Sequence, residues 1–136
     1  MMLRQHAITK TAMIIGLSVS TLSAISNAEI VDVKWDTAGK FERVQSVAAG
    51  KFVEICENLA KDSVVTWEFK ASAPLNFNVH FHQGKEVSFP EKQDGVSERQ
   101  GTLIAPSKED YCWMWTNKGD AASNIRVLLA KGTAKR

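Results

Sequence analysis

No segment of this chain carries a sustained helical period, an internal repeat or a low-complexity tract, which removes the helical fold classes and repeat arrays. A P-loop, a dinucleotide fingerprint and a G-x-S-x-G nucleophile signature are all missing, so nucleotide-dependent and serine-hydrolase chemistry have no sequence support. No basic stripe is present, and the aromatics sit inside hydrophobic strand patterns, so no nucleic-acid partner is expected. Histidine is scarce: of three in the chain, only His80 and His82 lie beyond the first 28 residues.

Long apolar runs are equally scarce. The single candidate begins with a basic region containing Arg4 and Lys10, continues from Thr11 to Ile25, and ends in the small residues Ser26-Asn27-Ala28. A membrane span takes about 20 apolar residues. This shorter run with a small-residue end reads as a cleavable signal peptide over residues 1–28. No cysteine lies near the cut, so a lipid anchor is not expected; with the signal cleaved, no membrane anchor is expected either. The address is the periplasm, or full secretion. Residues 29–136 then form one domain with one core. Losing Arg4 and Lys10 reduces the 17 basic residues to 15, against 15 acidic ones, so the exported chain is formally neutral.

Cys56 and Cys112 are the only cysteines. An even pair in an oxidising compartment favours a disulfide, which stabilises by about 4 kcal/mol in the chain-entropy treatment. The alternative is free thiols acting as soft metal ligands.

What the sequence does contain is alternation. In Tyr111-Cys112-Trp113-Met114-Trp115-Thr116-Asn117 the rings of Tyr111, Trp113 and Trp115 fall on one face of a strand, with Cys112, Met114 and Thr116 on the other. Asn117 to Asp120 supplies the turn that ends it. Val65, Trp67 and Phe69 alternate with polar residues, as do Phe77, Val79 and Phe81. Further strands are expected around Ile30–Trp35, Phe41–Val47, Lys51–Glu57, Glu86–Phe89, Gly101–Ala105 and Ile125–Ala130. Ala71 to Pro74 reads as a turn, Gln83-Gly84-Lys85 as a hairpin-like turn, and the polar Pro90–Gln100 segment with Asp94-Gly95 as a mobile loop. Lys131 to Arg136 reads as a basic tail. Seven or eight short strands with turn chemistry between them predict an all-β, antiparallel, immunoglobulin-like β-sandwich, with a small closed barrel as the alternative.

The run Val64-Val65-Thr66-Trp67-Glu68-Phe69, the strand Phe77-Asn78-Val79-His80, Gly101-Thr102-Leu103, and above all Tyr111, Trp115 and Asn117 in an aromatic-xxx-aromatic-x-Asn ending carry a family likeness. The chain resembles a GOLD domain, the β-sandwich of p24 proteins, from about Val44 to Leu129. Met114 stands where p24 proteins place a cysteine, and Cys112 lies two positions earlier on the same strand face. The transmembrane and coiled-coil parts of p24 proteins have no counterpart in the resemblance. It implies a binding module, with a protein as partner, rather than an enzyme.

His80 and His82 share a strand face, with their backbones about 7 Å apart, close enough for both imidazoles to converge on one metal. Met114 lies on the polar face of its own strand beside Cys112. If the two strands are neighbours, His80, His82 and Met114 form a nitrogen–thioether set suited to copper as Cu(I), and Cys112 joins it only if unbridged. The plainer reading is a pair of solvent-exposed histidines and a methionine that fills a gap. His80-x-His82-x-x-x-Glu86 also matches the ligand spacing of the first cupin motif. Pro74 and Gln93 stand where that motif's glycines belong, however, and no third histidine follows. A cupin-like metal enzyme using Glu86 is therefore the third reading, after a metal-binding protein and a metal-free interaction module.

Overall fold

The computed structural model describes residues 28–133; the expected signal peptide lies outside the described residues apart from Ala28. Seven strands follow one another: β1 (Glu29–Asp32), β2 (Lys40–Val47), β3 (Phe52–Leu59), β4 (Val64–Gln83), β5 (Glu86–Ile104), β6 (Glu109–Thr116) and β7 (Ser123–Gly132). They hydrogen-bond in the order β1-β3-β6-β4-β7-β2, with β5 paired to β4 off that path. All pairings are antiparallel except that of β1 with β3. The fold is an all-β sandwich.

The 20-residue strand β4 makes the two layers. Its first half, Val64–Ala71, pairs with β7, and its second half, Asn76–Phe81, pairs with β6. Between them the sequence Ser72-Ala73-Pro74 pairs with neither strand, and the β4–β5 register shifts between Lys70 and Leu75. A proline and an irregular stretch at this point let the strand bend without ending. The expected turn at Ala71–Pro74 is therefore a bend within one strand. One layer is β1-β3-β6 with the second half of β4; the other is β2-β7 with the first half; β5 runs along both.

The expected mobile loop is also strand. Residues 90–100 lie inside β5, a 19-residue strand. The Asp94-Gly95 turn signal marks a bulge: Gly95 has a positive φ of 67° and its N–H donates to Asn76 Oδ1 at 3.1 Å. Pro90 is accommodated by a second irregularity, where the register shifts between Val79 and Phe81 so that Phe89 and Pro90 oppose His80. Two strands are thus much longer than expected, because paired bulges carry them through their turn-like residues. β7 runs to Gly132, so Lys131 belongs to a strand; it pairs with Val65.

Odd-numbered residues of β4 from Val65 to Phe81, and of β6 from Tyr111 to Trp115, face inward. Trp67, Phe69, Phe77, Val79, Tyr111, Trp113 and Trp115 are all buried, together with Val53, Ile55, Ile125, Val127 and Leu129. Phe77 lies 4.9 Å from Trp67, 4.8 Å from Phe69 and 5.4 Å from Trp115, ring centre to ring centre. These aromatic pairs each contribute on the order of 1 kcal/mol beyond burial and tie both halves of β4 to β6. Gly101 is held against Trp67, since a Cβ there would lie 2.5 Å from the indole Cζ2.

The ending Tyr111, Trp115, Asn117 has a structural reason. Tyr111 Oη donates to the Ser107 carbonyl at 2.8 Å and fixes the chain entering β6. Asn117, only 2% exposed, donates from Nδ2 to the carbonyls of Val47 (2.9 Å) and Ala121 (2.8 Å). Its Oδ1 accepts the Gly119 N–H at 2.9 Å. One side chain closes the loop after β6 and secures the end of β2.

Candidate functional site

The outer face of the β3–β6–β4 layer gathers the chain's unusual side chains. Because the odd positions of β4 fill the core, Asn78, His80 and His82 project outward. Registration places His80 opposite Cys112 and Asn78 opposite Met114 across the β4–β6 pair. Across β6 from there, Cys112 opposes Cys56 and Met114 opposes Glu54. The expected pair of neighbouring strands is formed, and His80, His82, Met114, Cys112 and Cys56 share one face, joined by Glu54, a residue that no motif in the sequence marks. Its signal was alternation: Glu54 is the polar neighbour of inward-facing Val53 and Ile55.

Cys56 and Cys112 are disulfide-bonded, with Cα atoms 4.1 Å apart. They are direct cross-strand partners, so the bridge closes a 56-residue separation without bending either strand. No free cysteine remains, and in this state Cys112 offers no thiolate.

His80 is not the solvated histidine of the plain reading. Although it points to the outer face, it is only 7% exposed. The His82 ring covers it edge-on with centres 5.6 Å apart, and Phe89, from the bulge opposite, lies 6.0 Å away. Its Nδ1 lies 2.8 Å from Asn78 Oδ1, and its Nε2 lies 4.0 Å from Glu54 Oε1. The two ring nitrogens have different partners: a proton on Nδ1 serves Asn78 Oδ1, and one on Nε2 serves the Glu54 carboxylate. Burial lowers the His80 pKa from the ordinary 6.5; Glu54 opposes this and His82 reinforces it. His82 itself is exposed.

Among the described residues, the set of His, Cys, Asp and Glu whose donor atoms lie within 4.8 Å of one another is Glu54, His80 and Cys112. His82 and Glu86 fall outside it. Glu86 pairs with Gln83 and Val87 with His82, so Glu86 shares the strand face opposite to that of His82. The cupin-like combination of both histidines with Glu86 is not assembled. Met114 sits one row from His80, between Glu54 and Asn78.

Beside the histidines, the tip of the β4–β5 hairpin exposes Val87 (43%) and Phe89 (47%), with Lys92 Nζ 5.2 Å from the Phe89 ring centre. Gly84, at a φ of 60°, makes the two-residue turn. The outer face of the other layer is charged instead, with Arg126 paired to Glu42 at 2.7 Å.

No family model matches the chain, and no curated protein matches it. Among solved structures, 52 chains match. One is PliG from Aeromonas hydrophila, a periplasmic lysozyme inhibitor of g-type lysozyme, 16% identical over 76% of this chain and 96% of that one, with a TM-score of 0.62. A second is Salmonella Typhimurium PliG, 11% identical over 78% and 100%, with a TM-score of 0.53. The pre-peptidase C-terminal domain of a Bacillus anthracis collagenase is 12% identical over 74% and 96%, with a TM-score of 0.52. What they share with this chain is the fold. The GOLD resemblance is carried no further than that by any of these matches.

Proposed function

We propose that this protein is an exported, non-enzymatic binding domain, periplasmic in location, that captures a partner protein through the tip of the β4–β5 hairpin, with a g-type lysozyme as the partner to test first. The observation that carries the reading is the exposed apolar pair Val87 and Phe89, set on a strand-paired hairpin beside His82. Exposed aromatics rimmed by polar groups are typical anchors of protein interfaces. The likeness to PliG, a periplasmic inhibitor of g-type lysozyme, over about three quarters of this chain supports that choice of partner. The disulfide agrees with an oxidising compartment.

The test is inhibition of a g-type lysozyme on peptidoglycan, run beside c-type and i-type enzymes. Stoichiometric inhibition by the wild type, at least tenfold weaker in a Val87→Ser/Phe89→Ala variant that melts like wild type, is the expected result. Failure to inhibit or co-elute with any of the three enzymes overturns the lysozyme assignment.

Copper at His80, His82 and Met114 is a second reading, favoured by their placement on one face of adjacent strands. It requires the disulfide-bonded protein to take up Cu(I), and a His80→Ala/His82→Ala variant to lose that uptake. No copper in either protein rules it out.

A further inference from the structure

We propose that the Cys56–Cys112 disulfide masks a metal site: on reduction, Cys112, His80 and Glu54, with Cys56 as fourth donor, hold a borderline divalent ion of the zinc class. This site is independent of partner capture; it shares His80 with the copper reading but replaces His82 and Met114 by Glu54 and the two cysteines, and it exists only in the reduced protein.

The geometry is already close. The donor atoms of Glu54, His80 and Cys112 lie within 4.8 Å of one another. Around a tetrahedral zinc, donors at the usual bond lengths sit roughly 3.4–3.8 Å apart, so these three close by side-chain adjustments of about 1 Å; Cys56 lies outside that group and joins it once reduction frees its sulfur from that of Cys112. All four residues stand on adjacent strands of one sheet rather than on loops, which fixes their directions before any ion arrives. His80 is oriented as metal-bound histidines are: Asn78 Oδ1 holds Nδ1 at 2.8 Å and leaves Nε2 aimed at the Glu54 carboxylate, 4.0 Å away. With the proton on Nδ1, Nε2 and the Glu54 carboxylate both have lone pairs to offer a cation. A cation satisfies both at once.

The sulfurs complete the set. Cys112 is the cross-strand neighbour of His80 on one side and of Cys56 on the other. Both cysteines are only partly buried and line a shallow depression shared with Glu54, His80 and His82, so a reductant and an ion reach them from the same side. As a disulfide the sulfurs are poor ligands; as thiolates they are strong ones for zinc.

The chemistry separates into two steps. A dithiol donor passes two electrons and two protons to the disulfide, giving two thiols, and is itself oxidised to its disulfide. The divalent ion then replaces the two thiol protons, which leave to solvent; no electrons move in this step. Metal and disulfide therefore exclude each other. Free metal at about 100 times the dissociation constant of the reduced form shifts the balance toward that form by about a hundredfold, and oxidation releases the ion.

The experiment uses protein recovered from an oxidising compartment, half of it reduced anaerobically and freed of reductant, then titrated with Co(II). The reduced protein is expected to bind one equivalent with intense sulfur-to-cobalt charge-transfer absorption that Zn(II) displaces, while the oxidised protein shows none. His80→Ala and Glu54→Gln should each weaken binding at least tenfold. Should reduction loosen the fold, near-UV circular dichroism is the second measurement: its recovery on adding Zn(II) supports the site, and its failure to recover overturns it. Affinity unchanged in His80→Ala overturns it as well, because the cysteines then bind without the sheet face. A reduced, folded protein with no charge-transfer band does the same.

Discussion

Removing the Asn117 side chain should cost this small domain a large part of its stability. In Asn117→Ala the carbonyl of Val47 loses a fully buried donor, and the Ala121 carbonyl and Gly119 N–H lose half-buried partners. A buried group left without its partner costs about 1–3 kcal/mol, and each half-buried bond about 1 kcal/mol. The sum, about 4 kcal/mol, compares with a total of roughly 5–15 kcal/mol for a domain of this kind. At about 4 °C per kcal/mol the melting temperature should fall by about 15 °C. Asn117→Asp sharpens the test. It keeps an acceptor for Gly119 but turns a second carboxylate oxygen toward the two carbonyls, so at pH 7 it should be no more stable than the alanine variant. Urea unfolding followed by tryptophan fluorescence measures both. A loss below about 1 kcal/mol in Asn117→Ala, or an aspartate variant clearly more stable than it, would refute the reasoning.

Other perturbations follow from the same packing. Gly101→Ala places a methyl 2.5 Å from the Trp67 ring and should destabilise by about 1–3 kcal/mol; combining it with Trp67→Leu should cost less than the two single changes added together, a coupling that a double-mutant cycle in urea reads directly. The folded His80 pKa is lowered from 6.5, so the unfolded chain binds the extra proton. Stability should be complete above 6.5 and fall as pH drops through the window between 6.5 and the lowered folded value; His80→Gln should flatten that slope in melts across the same range, and an unchanged slope contradicts the assignment. Cys56→Ala/Cys112→Ala in metal-free buffer should lower stability by about 4 kcal/mol, checked by comparing urea midpoints.

How much was legible in the sequence varied with the physics of each element. Strict alternation at Val65–Phe69, Phe77–Phe81 and Tyr111–Trp115 marked both the strands and their buried faces, because burial on one side of a pleat leaves a period of two. The bend at Ala71–Pro74 reads as a turn, and the bulge at Asp94-Gly95 as a turn signal in a mobile loop, since the residues that tolerate bulges are those that make turns. Only pairing with a partner strand distinguishes the two cases, and pairing is not local. The same limit applies to the site. His80, His82 and Met114 could be gathered by counting parity along two strands, but Glu54 joins His80 from across a third. His80 also reads as exposed until Phe89 and His82 are seen to cover it.

The strand order carries a kinetic consequence. β2 has β7 as its strand partner, and the first half of β4 reaches β2 only through β7. One whole layer therefore lacks its middle strand until the last described residues have emerged. Non-local pairings of this kind close slowly, because the loop entropy is spent before the contacts form. The layer stays open until β7 arrives, which makes the ten residues Ser123–Gly132 the step that commits the domain.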